Sequence, residues 1–277
     1  MNTIKFTKMH GLGNDVIVLD RRDQDVELSP EFIAHLCDRR KGVGCDQLML
    51  IETSDDPVCH ARYRIYNPDA KEVEQCGNGA RCVARYLFDK DELPAEFRLQ
   101  AMRSDVDAIC HADGSVSVAL GVPSFEPASL PLKSAQQLSE YHMQAAGREL
   151  SFGAVSIGNP HAVLSVPSVA DTDVAGLGTA IQGSSMFPQS TNVEFVEFLA
   201  RDHLRLRVYE RGAGETLACG SGACATVAVG RHWGWLDDEV RVDMPGGQAI
   251  VNWAGDGQKI WLRGDAVRVF NGSIQVS

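Results

Sequence analysis

The sequence predicts an α+β protein built from two homologous halves. Apolar runs rich in β-branched and aromatic residues, typical of strands, recur along most of the chain. Helix signals are few: Ser29 and Pro30 open one helix, and the segments that follow Cys76 and Cys219 lack helix breakers. An internal repeat assigns these elements to two halves.

The repeat is clearest around the two cysteines. Residues 64–82, RIYNPDAKEVEQCGNGARC, align without a gap with residues 207–225, RVYERGAGETLACGSGACA. Eight of these nineteen positions are identical, including the cysteine and both glycines of Cys-Gly-x-Gly. Chance similarity between two glycine-rich turns does not explain so long an ungapped match, so we infer a duplication.

Two further pairs of matching segments recur in the same order in both halves. LGNDVIV matches IGNPHAV, which places Asn14 opposite Asn159, and DQLMLIE matches TNVEFVE, which places Gln47 opposite Asn192. We therefore predict two domains: residues 1–121 with 264–277, and residues 122–263.

Composition and charge restrict the class of function. With 277 residues, 44% hydrophobic and 23% charged, the chain is expected to form one or two globular domains. The formal net charge of −11 is spread along the chain, which argues against nucleic acid or an anionic membrane as a partner. Neither a signal peptide nor a run of about 18 apolar residues is present, and eight cysteines are too few for a disulfide scaffold. We expect a cytoplasmic protein with reduced thiols.

Each cysteine of the repeat precedes a glycine-rich helix start. Backbone N–H groups at a helix N-terminus favour anions, so they lower the pKa of a thiol and can hold a carboxylate. Glycine lets the backbone approach a ligand closely. If the halves face each other across a cleft, one thiol lies on each side of a substrate atom. Such a pair can invert a stereocentre by removing a proton from one face and delivering a proton to the other.

These motifs resemble those of the diaminopimelate epimerase family. The resemblance rests on HGLGND, GCDQL, NPDAKEVEQCGNGARC, GNPH, NVEFVE, ERGAGETLACGSGACA and the PGG of VDMPGG. It implies two pseudo-symmetric α/β domains, each a mostly antiparallel sheet wrapped around a central helix, with the active site in the cleft between them. It also implies a homodimer that interconverts LL- and meso-2,6-diaminopimelate, in lysine and peptidoglycan precursor biosynthesis, with no pyridoxal phosphate, metal or other cofactor.

Carried over position by position, the resemblance implies the following site. The acid/base pair would be Cys76 and Cys219. The carboxylate at the reacting centre would be held by Gly77, Asn78, Gly220 and Ser221. The other substrate contacts would be Asn14, Gln47, Asn67, Asn159, Asn192, Glu210 and Arg211. His161 and Glu210 resemble the polar neighbours that tune the thiols.

The two halves differ where Asn67-Pro68 in the first corresponds to Glu210-Arg211 in the second. A glutamate beside an arginine can pair with an ammonium and a carboxylate. We therefore predict that Glu210 and Arg211 read the distal amino-acid end of the substrate.

The sequence departs from the family pattern at several positions. Val16 and Cys45 stand where aromatic residues are usual, and Lys71 brings an additional cation near Cys76. Phe270 stands where the family often has a tyrosine associated with the dimer contact. We expect five cysteines to be core residues, namely Cys37, Cys59, Cys82, Cys110 and Cys224. Cys45 has two alternatives, the core or the cleft. The basic residues of DRRK (38–41) are expected to interact with the dipole at a helix C-terminus.

Several other functions compete with an epimerase of this kind. Proline racemases and hydroxyproline epimerases usually carry Cys-Gly-His-Gly at the first motif, where this chain has Asn78, and a phenazine-type isomerase lacks the cysteine pair. The spacing of Cys76 and Cys82 is poor for a structural zinc site. A redox protein with a disulfide between two facing thiols is the remaining alternative, which an assay with and without reductant separates.

Overall fold

A computed structural model of the chain describes residues 2–74, 76–91, 93–134 and 136–276. The chain divides into two compact units, Met1–Ala119 with Arg263–Ser277 and Leu120–Leu262. The domain boundaries predicted from the repeat lie within two residues of these positions.

The first unit carries the first sheet and two helices. The elements are β1 (Asn2–Gly11), β2 (Asn14–Asp20), α1 (Pro30–Cys37), β3 (Gln47–Glu52), β4 (Ala61–Tyr66), β5 (Glu72–Val73), α2 (Gly77–Asp91), β6 (Glu96–Gln100), β7 (Val106–Cys110) and β8 (Val116–Ala119).

The second unit begins after β8. Its elements are β9 (Tyr141–Ala145), β10 (Arg148–Ser156), β11 (Pro160–Ser165), α3 (Val174–Gln182), β12 (Asn192–Ala200), β13 (His203–Glu210), β14 (Gly214–Thr216), α4 (Gly220–His232), β15 (Glu239–Met244) and β16 (Gly247–Asn252). The chain then passes through β17 (Trp261–Gly264) and ends in β18 (Val267–Val276), which belongs to the first unit.

The first sheet is mostly antiparallel. Strand β1 pairs antiparallel with β2 and β18, β3 with β4, β4 with β5, β6 with β7, and β7 with β8. Two pairs are parallel, β2 with β3 and β4 with β6. Helix α2 packs against β1, β2, β3, β7, β8 and β18, so this sheet wraps around it.

The second sheet repeats the same order of pairings. Strands β10 and β11, β12 and β13, β13 and β14, and β15 and β16 pair antiparallel, while β11 pairs parallel with β12 and β13 with β15. Helix α4 packs against β10, β11, β12 and β16, as α2 packs in the first unit. The predicted α+β fold with two homologous halves is confirmed.

The identical residues of the repeat have matching structural roles. Arg64 on β4 pairs with Glu72 on β5, with Nη2 2.7 Å from Oε2. Arg207 on β13 pairs with Glu215 on β14, with Nε 2.7 Å from Oε1. Each ion pair bridges the strand that leads towards a cysteine motif and the short strand just before it. The repeat therefore preserves the hairpin that delivers the cysteine.

Helix α1 begins as predicted. The Ser29 hydroxyl accepts a hydrogen bond from the Phe32 N–H at 3.2 Å, and Pro30 occupies the first turn. The helix ends at Cys37. The prediction that the basic residues beyond it interact with the helix dipole was wrong for Arg39. Its guanidinium pairs with Asp15 and Asp46 instead of the helix carbonyls.

Helix α3 was not predicted from the sequence. Asp173 caps its N-terminus by accepting a hydrogen bond from the Gly176 N–H at 3.0 Å. The helix buries Leu177 and Ile181 in a core with Phe152 and Phe195. A Cβ on Gly178 would lie 2.4 Å from the Tyr209 ring, so glycine is needed where the helix meets that side chain.

The helices were also compared with the length and hydropathy that a membrane span requires. In the part of the chain that the structure describes, no helix is both long enough and apolar enough to cross a bilayer.

Candidate active site

Cys76 lies immediately before the first turn of α2. Its carbonyl accepts the Ala80 N–H at 2.9 Å, and its Sγ accepts the Gly79 N–H at 3.3 Å. An amide that donates to sulfur favours the thiolate over the thiol. The Asn14 Oδ1 lies 3.7 Å from the same sulfur. The cysteine predicted to exchange protons is therefore held at a helix N-terminus.

The second glycine of the motif is required by close packing. A Cβ on Gly79 would lie 2.6 Å from the Met49 Sδ. Gly77 is the first residue of α2, where backbone N–H groups are not used within the helix. Its predicted part in holding a carboxylate is consistent with this position but stays a prediction.

The Asn78 side chain turns inward. Its Oδ1 accepts a hydrogen bond from the Arg81 Nη2 at 2.8 Å, and both side chains are buried. The Oδ1 of Asn78 is thus engaged by Arg81, and the predicted contact of Asn78 with a carboxylate stays a prediction. The Arg81 guanidinium also donates to the Asp265 carbonyl oxygen at 3.4 Å. The buried Arg81 therefore links the start of α2 to the backbone at Asp265.

Three predicted substrate contacts lie on the first sheet. Asn14 begins β2, Gln47 begins β3, and Asn67 follows β4. The Gln47 Nε2 donates to the Asn67 Oδ1 at 3.4 Å. The Gln47 Oε1 is buried with no hydrogen-bond partner among the described residues, so this amide has an acceptor to offer to a ligand. A direct contact with substrate stays a prediction for all three.

Lys71, the additional cation expected near Cys76, is an exposed residue. Its Nζ pairs with the Asp69 Oδ2 at 2.7 Å, and 80% of its side chain is exposed. Exposed charges are strongly screened, and an effect of Lys71 on Cys76 stays a prediction.

Cys219 occupies the equivalent position before α4 but has different neighbours. Its carbonyl accepts the Ala223 N–H at 3.0 Å, which matches the bond between Ala80 and Cys76. Its thiol donates to the Glu210 Oε2 at 3.1 Å, and the Ser221 Oγ lies 3.6 Å from the sulfur. Gly220, the first residue of α4, and Ser221 thus lie where the sequence predicted, and their contact with a carboxylate stays a prediction.

The Cys219 environment favours the protonated thiol. Burial raises the pKa of Cys219 well above its usual value, and the carboxylates of Glu210 and Glu194 raise it further. The hydroxyl of Ser221 opposes this shift. The Cys76 sulfur accepts the Gly79 N–H and faces a neutral amide oxygen, whereas the Cys219 thiol donates to a carboxylate, so the two halves give their sulfurs different partners.

Glu210 and Arg211 bond to different partners within the protein. The Glu210 carboxylate accepts hydrogen bonds from the Cys219 thiol and, through Oε1, from the Thr216 hydroxyl at 2.5 Å. The exposed Arg211 side chain turns to the Gln189 carbonyl at 3.4 Å. The role of Glu210, with Arg211, in reading the distal end of the substrate stays a prediction. The predicted influence of Glu210 on the thiol fits these contacts.

His161 lies on β11 and is completely buried. Its Nδ1 lies 2.7 Å from the Glu194 Oε1 and its Nε2 lies 2.9 Å from the Asn159 Oδ1. Burial raises the pKa of Glu194, and the neighbouring imidazole opposes this. Both ring nitrogens of His161 are therefore engaged by Glu194 and Asn159, and any influence on a thiol is indirect.

Asn192 begins β12 and is bonded within the protein. Its Oδ1 accepts the Arg211 N–H at 2.9 Å, and its Nδ2 donates to the Pro160 carbonyl at 3.2 Å. These bonds make Asn192 a support for the backbone at Arg211, and its predicted direct contact with substrate stays a prediction.

The remaining cysteines are core residues. Cys37, Cys59, Cys82, Cys110 and Cys224 are all buried, as expected. Cys45 is buried too, with its Sγ 3.3 Å from the Cys37 Sγ, so its alternative place in the cleft is not supported. Burial raises the pKa of Cys82 to about 12.

Sequence reasoning missed four polar residues around the two cysteines: Asp46, Arg39, Arg81 and Glu194. Glu194 could have been suspected because it interrupts the apolar run of NVEFV. Arg81 follows the glycines of CGNGARC in a helix whose neighbouring positions are buried. Asp46 and Arg39 carry no such signal because charged residues in loops are ordinary.

Comparison with known proteins identifies the family. The family model described as "Diaminopimelate epimerase" matches residues 6–126 and 153–269. A protein of Alkalilimnicola ehrlichii described as "Diaminopimelate epimerase" is 47% identical over 277 residues, which cover 99% of both chains. The chain belongs to the diaminopimelate epimerase family. This confirms the family inferred from the cysteine motifs and the prediction of an isomerase.

Solved structures of more distant proteins share the fold of this chain. A hydroxyproline epimerase of Agrobacterium vitis has a TM-score of 0.71 at 16% identity, over 98% of this chain and 92% of its own. A phenazine biosynthesis protein of the PhzF family from Bacillus anthracis has a TM-score of 0.70 at 15% identity, over the whole of both chains. At such low identity, these structures show a common fold only.

Proposed function

We propose that this chain interconverts LL- and meso-2,6-diaminopimelate, in lysine and peptidoglycan precursor biosynthesis, by proton transfer between two thiols and one α-carbon. The observation that carries this proposal is the pair of helix-start cysteines, which lie at equivalent positions of the repeat and have different hydrogen-bond partners. Family membership supports the substrate, and the contacts of Cys76 and Cys219 support the assignment of the proton-transfer groups.

In the resting enzyme, Cys76 is the thiolate and Cys219 the thiol. The Gly79 N–H donates to the Cys76 sulfur, whereas Cys219 donates to Glu210 and its pKa is raised by burial and carboxylates. In one direction the Cys76 thiolate removes the α-proton, and the electron pair of the C–H bond moves towards the substrate carboxylate. The Cys219 thiol then delivers its proton to the opposite face of the carbon.

The charge that develops on the carboxylate needs hydrogen-bond donors. Backbone N–H groups at the starts of α2 and α4, around Gly77 and Gly220, are suited to this because a helix N-terminus favours negative charge. After one turnover Cys76 is protonated and Cys219 is the thiolate, which is the state required for the reverse direction. Proton exchange with solvent restores the resting state.

The isotopic test follows LL-diaminopimelate in D₂O at low conversion. We expect each meso product molecule to carry one deuterium at the inverted α-carbon, while the recovered LL substrate stays unlabelled, because acid and base are different groups. Deuterium appearing in recovered substrate as fast as in product, or product that keeps its original hydrogen, would contradict the two-thiol mechanism. The protein is first treated with a chelator and with hydroxylamine, and unchanged activity supports a mechanism without metal or pyridoxal phosphate.

We propose a homodimer that uses β18. This strand exposes Val267, Val269 and Phe270, and the Phe270 ring packs edge-on against Phe6 on β1 with centroids 6.1 Å apart. A row of exposed apolar side chains on a strand is typical of a contact surface.

Sedimentation equilibrium tests the dimer. Val269→Asp is expected to convert it to a monomer because a carboxylate would be buried without a partner. Val58→Asp, at an exposed apolar position elsewhere in the same unit, is the matched control and should leave the mass unchanged. A wild-type monomer, or an unaltered dimer in Val269→Asp, would exclude this surface.

A further inference from the structure

The amide of Asn14 stands between a carboxylate and a catalytic sulfur. Its Nδ2 donates to the Asp46 Oδ2 at 3.0 Å, and its Oδ1 lies 3.7 Å from the Cys76 Sγ. A carboxylate only accepts hydrogen bonds, so the amide nitrogen must face Asp46 and the carbonyl oxygen must face the sulfur. If the amide turned over, its oxygen would face the carboxylate and its N–H₂ group would face Cys76.

Asp46 is itself fixed by surrounding donors. Its Oδ2 also accepts the Asp15 N–H at 3.1 Å, and its Oδ1 accepts from the Arg39 guanidinium at 2.7 Å. Arg39 in turn holds Asp15 through two hydrogen bonds, and Lys8 also donates to Asp15. Burial opposes ionisation of Asp15, but these bonds outweigh it and lower its pKa below the usual range. Both oxygens of Asp46 are thus assigned, one to Arg39 and one to Asn14 and the backbone.

We propose that Asp46 is a positioning residue that acts through Asn14 and keeps a hydrogen-bond acceptor, not a donor, beside the Cys76 sulfur. The proposal rests on the proton-transfer role of Cys76. Cys76 already receives the N–H of Gly79, and a second donor would stabilise the thiolate further and make it a weaker base. An acceptor leaves the thiolate reactive and receives the S–H group once the proton has been taken.

Asp46→Asn separates this role from simple packing. The oxygen of the new amide is expected to stay with the Arg39 guanidinium, the charged and therefore stronger donor, so its N–H₂ group faces Asn14 and the bond from the Asp15 N–H is lost. Asn14 then turns its oxygen towards residue 46 and its N–H₂ group towards Cys76. The surface ion pair with Arg39, whose side chain is 57% exposed, adds little stability, so the variant is expected to fold.

Two measurements are made on the whole protein, with Asp38→Asn as the matched control. Asp38 is exposed in the same loop, and its carboxylate accepts hydrogen bonds from backbone N–H groups there. We expect Asp46→Asn to lower kcat/KM for diaminopimelate about tenfold, the equivalent of one lost hydrogen bond. We also expect the pH at which iodoacetamide begins to modify Cys76, followed by peptide mass spectrometry, to move lower than in wild type, because the additional donor stabilises the thiolate. The control should match wild type in both.

A double-mutant cycle with Asn14→Ala decides whether the effect passes through Asn14. In the Asn14→Ala background, Asp46→Asn should change neither kcat/KM nor the pH dependence of alkylation, since no amide is left to turn over. Equal effects in both backgrounds, or no effect in the wild-type background, overturn the proposal. If Cys76→Ser is as active as wild type, the two-thiol mechanism fails. If Cys76→Ser is inactive while Asp46→Asn behaves as wild type, only the role of Asp46 fails.

Discussion

Replacing either Cys76 or Cys219 by serine is expected to lower kcat/KM for epimerisation at least about a hundredfold and up to about 10⁴-fold, the range for loss of a positioned acid or base. A serine hydroxyl releases its proton far less readily than a thiol, so it cannot serve as the base. In the reverse direction the same cysteine must act as the acid, while the other cysteine is the thiolate. Both variants should therefore lose both directions, measured as LL-to-meso and meso-to-LL rates.

Cys59→Ser is the control for the cysteine variants, because Cys59 is buried in the first unit outside the cysteine repeat. It should keep the wild-type rate in both directions. Thermal unfolding of all three variants confirms that they are folded at the assay temperature. An active Cys76→Ser or Cys219→Ser enzyme would remove that residue from the mechanism.

Replacing Glu210 by glutamine is expected to make Cys219 a stronger acid and the enzyme a weaker catalyst. The amide oxygen of glutamine can still accept the Cys219 S–H group, and its N–H₂ group can donate to the Thr216 hydroxyl oxygen, so the substitution removes the charge and keeps the shape. Glu210 raises the pKa of Cys219, second only to burial. Its loss therefore lowers that pKa, and thiolate forms at lower pH. We expect kcat/KM near neutral pH to fall about tenfold or more, because less of the resting enzyme carries the proton that Cys219 must deliver.

The measurement is the rate at which iodoacetamide modifies Cys219 as a function of pH. In Glu210→Gln the rise in rate should move to lower pH than in wild type. Glu197→Gln is the matched control, because Glu197 lies on β12 in the same unit and pairs with Arg205 at 3.2 Å. A Glu210→Gln profile that coincides with wild type would show that the Glu210 charge does not act on Cys219.

The elements with the strongest local pattern were predictable. The predicted strand DQLMLIE is β3 (Gln47–Glu52), and LRLRVYE lies within β13 (His203–Glu210). Helix α3 was missed because VAGLGTAIQ contains two glycines and several β-branched residues, which are poor helix formers. Its packing on Tyr209 and the apolar core overrides that preference, and such packing is not visible in local sequence.

The site was predictable where the chain repeats itself. Cys76 and Cys219 follow from the duplicated motif, whereas Glu194 is marked only by its interruption of an apolar run, which does not show what it contacts. It is buried because α4 covers that side of β12, and a Cβ on Gly222 would lie 3.0 Å from its Oε1. The orientation of side chains also escaped prediction: Glu210 and Arg211 are neighbours in sequence but bond to different partners.

The ion pairs Arg64–Glu72 and Arg207–Glu215 have a consequence for how the two copies can diverge. Each pair closes its hairpin through an arginine and a glutamate that both copies share, so this bond is kept when the neighbours of the thiol differ. Substitutions such as Asn67 in one copy and Glu210 in the other can then accumulate without loss of the turn. The duplicated chain is thereby free to specialise: one inherited scaffold carries two chemically distinct proton carriers.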